Sequence, residues 1–209
     1  LNQHAGAAIQ VAPVFISGTA SMTDTPLPTL LFPFERGLID PPGEGERVLF
    51  LGAPGGLLLP SDFSGSLTAI QGYRPDYLAL SQAGVTVEPE PVGEGYDMAL
   101  VLLGRHRREN EQRLAEALNR TRAGALIIAA CAKKDGGGSV RKRMASLVEL
   151  EDHASKHHGV VFWLRRPERL EPALMAELSA GDSEADGFAT AAGGFSDDGI
   201  DPGSALCQA

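Results

Sequence analysis

Read along the chain, short apolar runs alternate with stretches in which apolar residues return every three or four positions. Val48–Leu51 is a compact strand run stopped by Gly52, and Leu67–Gln71 is the next. A short helix is predicted over Pro75–Ala83, with Pro75 in the first turn, where its missing N–H leaves no bond unmade. Val85–Val87 and Met98–Leu103 read as strands three and four. Asn110–Arg122 carries Leu114, Ala117 and Leu118 at helical spacing, with Gly124 as its stop. Ala125–Ala130 reads as a buried strand. Ser139 is placed to cap a helix in which Val140, Met144 and Leu147 share one face. Leu147–His153 and Gly159–Arg165 complete the pattern as two strands joined by a tight connection.

Strands that alternate with helices imply right-handed crossovers and a parallel sheet covered on both faces. The closing pair has no helix between its members, which predicts antiparallel pairing at one edge. The expected fold class is therefore α/β: a mostly parallel sheet, helices on both faces, and an antiparallel strand pair near the C-terminal end. That is the architecture of Rossmann-like methyltransferases, and the pattern alone also admits flavodoxin-like and dehydrogenase folds. Residues 30–180 form the organised body. Residues 1–29 read as a weakly ordered leader or extension, and Leu1–Ser21 lacks the charged start of a secretory signal. Residues 181–209, rich in Gly, Asp, Ser and Ala, read as a linker.

Composition narrows the class. With 209 residues, of which 43% are hydrophobic and 22% charged, the chain can bury a core without disulfides or metal. The longest apolar run, Ala125–Ala132, falls far short of the ~20 residues that cross a membrane, so a membrane partner is not expected. The two cysteines, Cys131 and Cys207, make no disulfide framework and point to a reducing, cytoplasmic setting. A net charge of −9 argues against a uniformly basic nucleic-acid binder. The charge is segregated, however. Arg105–Arg169 holds fifteen basic and eight acidic side chains, a net of +7, and the remainder carries −16. Local potential governs docking on phosphates, so the basic segment can either bind an anionic polymer or serve as a solvated face.

Three sequence tests probe for a working cofactor and substrate site. A nucleotide-binding turn after the first strand needs glycines that let backbone amides approach the ligand. Here Gly52-Ala53-Pro54-Gly55-Gly56 has the wrong spacing, Pro54 removes an amide, and Pro60 cuts short any following helix. An acid is expected at the tip of the second strand, to hold ribose hydroxyls, and Gln71 stands there instead. A base-modifying methyltransferase needs a polar motif such as N-P-P-F after the fourth strand, and Gly104-Arg105-His106-Arg107-Arg108 replaces it. All three tests fail, so no catalytic and no cofactor-binding residue is assigned.

Other constellations carry less. His153 and His157 lie four apart beside His158, yet they fall at a strand–strand turn without further ligands, so no metal site is assigned. Cys131 ends an apolar strand and reads as a buried structural thiol. Arg113 and Arg120 face Glu109 and Glu116 one turn earlier, which discounts both as ligands. The stretch Lys133–Ser139, flexible and glycine-rich before a helix, suits either a phosphate site or a plain loop. The candidate RNA-binding residues are Arg105, Arg107 and Arg108 after strand four, Lys133, Lys134, Arg141 and Lys142 around the turn after strand five, and Lys156 in the strand-pair turn. The carboxyl ends of parallel strands share one edge, so the first two clusters are expected to be neighbours.

The stretches Tyr96–Leu103, Lys134-Asp135-Gly136 and His153–Trp163, with Gly193–Leu206 ("GGFSDDGIDPGSAL"), resemble the N-terminal half of two-domain small-subunit ribosomal RNA guanine-N2 methyltransferases. The last stretch is similar to that family's interdomain signature F-S-x-x-x-x-D-x-G-S-x-L. The resemblance covers roughly Leu30–Ala209 and implies a degenerate methyltransferase-like domain that helps bind RNA and supports a catalytic half. It also implies S-adenosylmethionine as the cofactor of the intact parent, none being expected in this chain. The implied partners are ribosomal RNA or the small ribosomal subunit and a catalytic domain beyond Ala209. Two other readings are an independent methyltransferase with an atypical pocket and an RNA-binding adaptor. Phe195, Ile200 and Leu206 are expected to present apolar surface to the missing domain.

Overall fold

The computed structural model describes residues 25–179; the expectations for residues 1–24 and 180–209, including those for Phe195, Ile200 and Leu206, lie outside them. In chain order the elements are α1 (Leu27–Glu35), β1 (Arg47–Leu51), β2 (Ser66–Ile70), α2 (Arg74–Gln82), β3 (Thr86–Glu88), β4 (Tyr96–Leu103), α3 (Arg107–Arg120) and β5 (Thr121–Ala132). A single 3₁₀ turn at Lys133–Asp135 leads into α4 (Gly137–Leu147), followed by β6 (Asp152–Lys156), β7 (Gly159–Arg165) and α5 (Pro172–Ser179). The seven strands form one sheet in the order β3-β2-β1-β4-β5-β7-β6. β1 to β5 are parallel, and β7 runs antiparallel between β5 and β6. The expected α/β class and the antiparallel pair at the C-terminal edge are both present.

Strands buried on both faces read as continuous apolar runs, and alternate residues serve opposite layers. Val48, Phe50, Leu100, Leu102, Ile128 and Trp163 meet Leu30, Leu31 and Phe34 of α1 and Leu80 of α2. Leu49, Leu51, Val101, Leu103, Ile127 and Phe162 point the other way, onto Leu114 and Leu118 of α3, Met144 of α4, and Leu174 and Leu178 of α5. The crossovers over residues 52–65 and 89–95 contain no helix. The first agrees with the disruption expected from Pro54 and Pro60.

Several boundaries differ from expectation. Leu147–His153 is not a strand: α4 runs through Leu147, and the paired strand is the polar segment Asp152–Lys156. The apolar residues Leu147, Val148 and Leu150 pack against the core from a helix end and a loop instead. Ser139 does not cap α4; Gly136, at φ +87°, is its N-cap, and the Ser139 amide donates to the Gly136 carbonyl at 2.8 Å. Gly124, at φ +73°, lies inside β5 rather than ending α3, which stops at Arg120 where the Thr121 hydroxyl donates to the Ala117 carbonyl. Helix α1 straddles the boundary drawn between residues 29 and 30, and α5 adds a helix over Pro172–Ser179.

Candidate functional site

Parallel register brings the carboxyl ends of the strands to one edge. Leu51 pairs with Ile70, Ile70 with Glu88, and Leu103 with Cys131. Ala132 pairs with Gly159 and Gly159 with Lys156, so the β6–β7 turn lies on the same edge as the β4 and β5 loops. The Lys133 amide donates to the His158 carbonyl at 2.8 Å, which ties that turn directly to the segment after β5. Lys156 therefore belongs to this edge.

The loops after β4 and β5 are neighbours. Arg105 and Arg107 from the first, and Asp135 and Gly136 from the second, line one cavity of about 290 Å³ between α3 and α4. Its inner wall is apolar, from Leu114, Val140 and Met144, and Asn110, Glu111, Ser139 and Arg143 complete it. Asn110 is buried and shapes the lip: its side-chain amide donates to the Gly104 carbonyl at 2.7 Å and its oxygen accepts from the Gly104 amide at 2.8 Å.

The basic residues divide by their partners. Arg107 pairs with Glu111 at 2.9 Å, and Glu111 also holds Arg143, which reaches Glu177 of α5 at 2.9 Å. The hydrogen bonds that the Arg143 guanidinium donates to these two carboxylates, Glu111 first, raise its pKa above the ordinary value. The Arg105 guanidinium donates to His106 Nε2 at 3.1 Å. Among the described residues no ion pair involves Arg105, Lys133, Arg141, Lys142 or Lys156. Helical periodicity turns Ser139, Val140, Arg143 and Met144 of α4 toward the cavity and carries Arg141 and Lys142 round to other faces. Arg143, Glu111 and Asn110 were not singled out from the sequence. They are recognised only when α3 and α4 are seen to face each other.

The place where a Rossmann-like fold admits a nucleotide is occupied by the chain itself. Gly52 sits at the end of β1 with φ +74°, and a Cβ there would lie 2.5 Å from Arg113 Nη1 and 2.9 Å from its Cζ. The close approach that a glycine permits is thus taken by a guanidinium from α3. Arg113 donates to the Leu102 carbonyl and to Glu109, and burial holds its pKa below the ordinary value, with Glu109 opposing the shift. Gln71, at the tip of β2, donates from Nε2 to the Ala53 carbonyl at 2.7 Å and accepts from the Tyr73 amide at 2.8 Å. Its polar atoms join the β1 and β2 loops rather than face a ligand. Gly55 packs onto α2, where a Cβ would approach Asp76 Oδ1 to 2.8 Å. The glycine turn after β1 is thus filled by Arg113, no acid stands at the tip of β2, and no helix follows β1.

Cys131 is buried beside the Gly104 and Asp135 carbonyls, and burial, helped by the Asp135 charge, pushes its thiol up to about 11. Among the described residues, no group of three or more His, Cys, Asp or Glu is arranged to hold a metal ion. None of the described helices is long and apolar enough to cross a membrane.

Strand order, crossovers and the inserted antiparallel strand define the Rossmann-like methyltransferase fold, and solved structures agree. The 16S ribosomal RNA guanine-N2 methyltransferase of T. thermophilus, in complex with S-adenosylmethionine and guanosine, matches 71% of this chain at 20% identity with a TM-score of 0.52. The match takes in 41% of that chain, so the present chain spans about two-fifths of that enzyme's length. A methyltransferase of Haloferax volcanii, solved with its activator, matches 68% of the chain and 91% of its own at 11% identity, TM-score 0.52. A ribosomal protein methylase of Lactobacillus delbrueckii matches 66% and 77% respectively at 10% identity, TM-score 0.51. In sequence, no protein-family model and no curated protein matches the chain.

Proposed function

We propose that this chain is a non-catalytic, methyltransferase-like domain of an S-adenosylmethionine-dependent ribosomal RNA guanine-N2 methyltransferase. It presents a basic edge to RNA and supports a catalytic half that lies beyond it. The observation that carries the reading is the Arg113 guanidinium packed against Gly52, where a working domain would admit the cofactor. Gln71, tied to both neighbouring loops, supports it from the second strand. The interdomain resemblance at Gly193–Leu206 and the likeness to part of a guanine-N2 methyltransferase agree with that role.

RNA would meet the edge formed by the β4 loop, the turn after β5 and the β6–β7 turn. Of the candidate residues, Arg105, Lys133, Lys142 and Lys156 combine exposure with the absence of an ion pair among the described residues, and α4 carries Lys142 away from this edge's cavity. Phosphate contacts release counterions, so their number is read from the salt dependence of binding. In the full chain, Arg105→Gln, Lys133→Gln and Lys156→Gln together should weaken binding to a fragment of small-subunit ribosomal RNA. The slope of log K against log salt should flatten by about one ion per lost contact. An unchanged slope in a folded variant would make the strip a solvated face and remove RNA from the reading.

A further inference from the structure

The turn between β6 and β7 is built from the wrong residues for its shape. Lys156 pairs with Gly159, which leaves His157 and His158 as the two central residues. Their φ angles are +48° and +58°, and they are the non-glycine residues with positive φ among those described. Two consecutive left-handed residues make the primed turn that suits the twist of a hairpin, and Asn-Gly is the pair that adopts it readily. A Cβ in this region crowds the following carbonyl, so two histidines here oppose the fold's own stability.

The surroundings hold the turn firmly while leaving its side chains out. Thr29 of α1 is fully buried, and its hydroxyl donates to the Lys156 carbonyl at 3.0 Å. Gly159 is packed so closely on Thr29 that a Cβ there would collide with it. The Lys133 amide holds the His158 carbonyl, and Phe32 meets the His157 ring edge-on with centroids 6.3 Å apart. Lys156, His157 and His158 are nevertheless exposed. Backbone strain persists where surrounding structure over-determines it, and such places concentrate at ligand-contacting sites.

We propose that this turn is a contact for single-stranded RNA, with the histidine rings receiving an unpaired base and Lys156 and Lys133 flanking its phosphates. An imidazole offers a planar face for stacking and ring nitrogens for a phosphate or 2′-hydroxyl, the means by which unpaired RNA is read. Neither Asn nor Gly, the residues the backbone prefers, offers a face. The turn shares its edge with Arg105 and the loop after β5, so a strand lying along that edge reaches it. The inference rests on the reading that the chain binds RNA and adds the part that grips a base.

The test uses the full chain with His157→Asn and His158→Gly combined, which keeps the turn and relaxes it. The variant should unfold at a higher urea concentration than the wild type. Its affinity for a single-stranded fragment of small-subunit ribosomal RNA should fall at least fivefold, with the salt slope retained. A 2-aminopurine placed in the bound strand should be quenched by the wild-type chain and much less by the variant. Affinity and quenching equal to wild type would overturn the proposal. If they stay equal while the Arg105, Lys133 and Lys156 variant loses binding, the RNA reading stands and this contact alone is refuted. A wild-type chain that binds no RNA refutes both.

Discussion

Replacing Arg113 with Met keeps most of the apolar stem and removes the guanidinium that lies against Gly52. Two interactions are lost: the charged donor to the Leu102 carbonyl and the ion pair with Glu109. A hydrogen bond to a charged group contributes about 1.5–3 kcal/mol. The pair is partly exposed on both sides, with side chains 28% and 29% accessible, so it adds under about 1 kcal/mol. Relief of the guanidinium's desolvation works the other way. The expected loss is about 2 kcal/mol, which at a urea dependence of about 2 kcal/mol per molar lowers the midpoint by roughly 1 M. Trp163, the only tryptophan of the sequence and buried in β7, reports the transition by fluorescence. A shift below about 0.2 M would mean that Arg113 rests on the surface without holding the end of β4, and the argument that it fills the glycine turn would fail.

Three further outcomes follow from the same geometry. The Asp97 carboxylate accepts the Arg47 amide at 2.8 Å and the Arg122 guanidinium at 2.7 Å, and these bonds, the amide's first, hold its pKa below the ordinary 3.8. A depressed carboxylate stabilises the fold above its unfolded value and loses that contribution as pH falls through the folded one. Asp97→Asn should therefore cost stability at pH 7, the cost shrinking as pH falls through the folded value, and a pH-independent cost in urea titrations would contradict the assignment. In a Cys207→Ser background, Cys131 should resist a thiol reagent at pH 8 until the chain is unfolded, since burial keeps it protonated; rapid native labelling would show that the thiol is reachable in the folded chain. Gly159→Ala should lower stability by about 1–3 kcal/mol, because its methyl group would collide with the buried Thr29; a neutral effect in thermal unfolding would show that α1 yields there.

How much could be read in advance depended on what each segment buries. β1, β4, β5 and β7 are apolar on both faces, so Val48–Leu51 and Met98–Leu103 stand out as unbroken runs. The edge strand β6 buries almost nothing, and Asp152–Lys156 carries no apolar alternation to betray it. Apolar Leu147, Val148 and Leu150 nearby shift the expected strand three to five residues too early. Helix α1 escaped because it is apolar nearly all round and contains Pro33, which reads as a helix breaker. In the site, Gln71 and the proline-bearing turn were legible because they depart from a spacing that ligand geometry demands. The role of Arg113 was not: its pairing with Glu109 is visible in sequence, but its reach across to Gly52 depends on how α3 lies over β1 and β4. The same holds for Asn110, whose clamp on Gly104 is a tertiary contact made six residues away.

A methyltransferase-like domain that has filled its own cofactor site, as proposed, should not bind S-adenosylmethionine. Titrating S-adenosylmethionine into the full chain in a calorimeter tests it most directly. No saturable heat is expected up to millimolar ligand if the Arg113 guanidinium against Gly52 and the Gln71 tie between the β1 and β2 loops keep the cofactor out. One-to-one binding with a micromolar dissociation constant would contradict it and restore the chain as a methyltransferase in its own right.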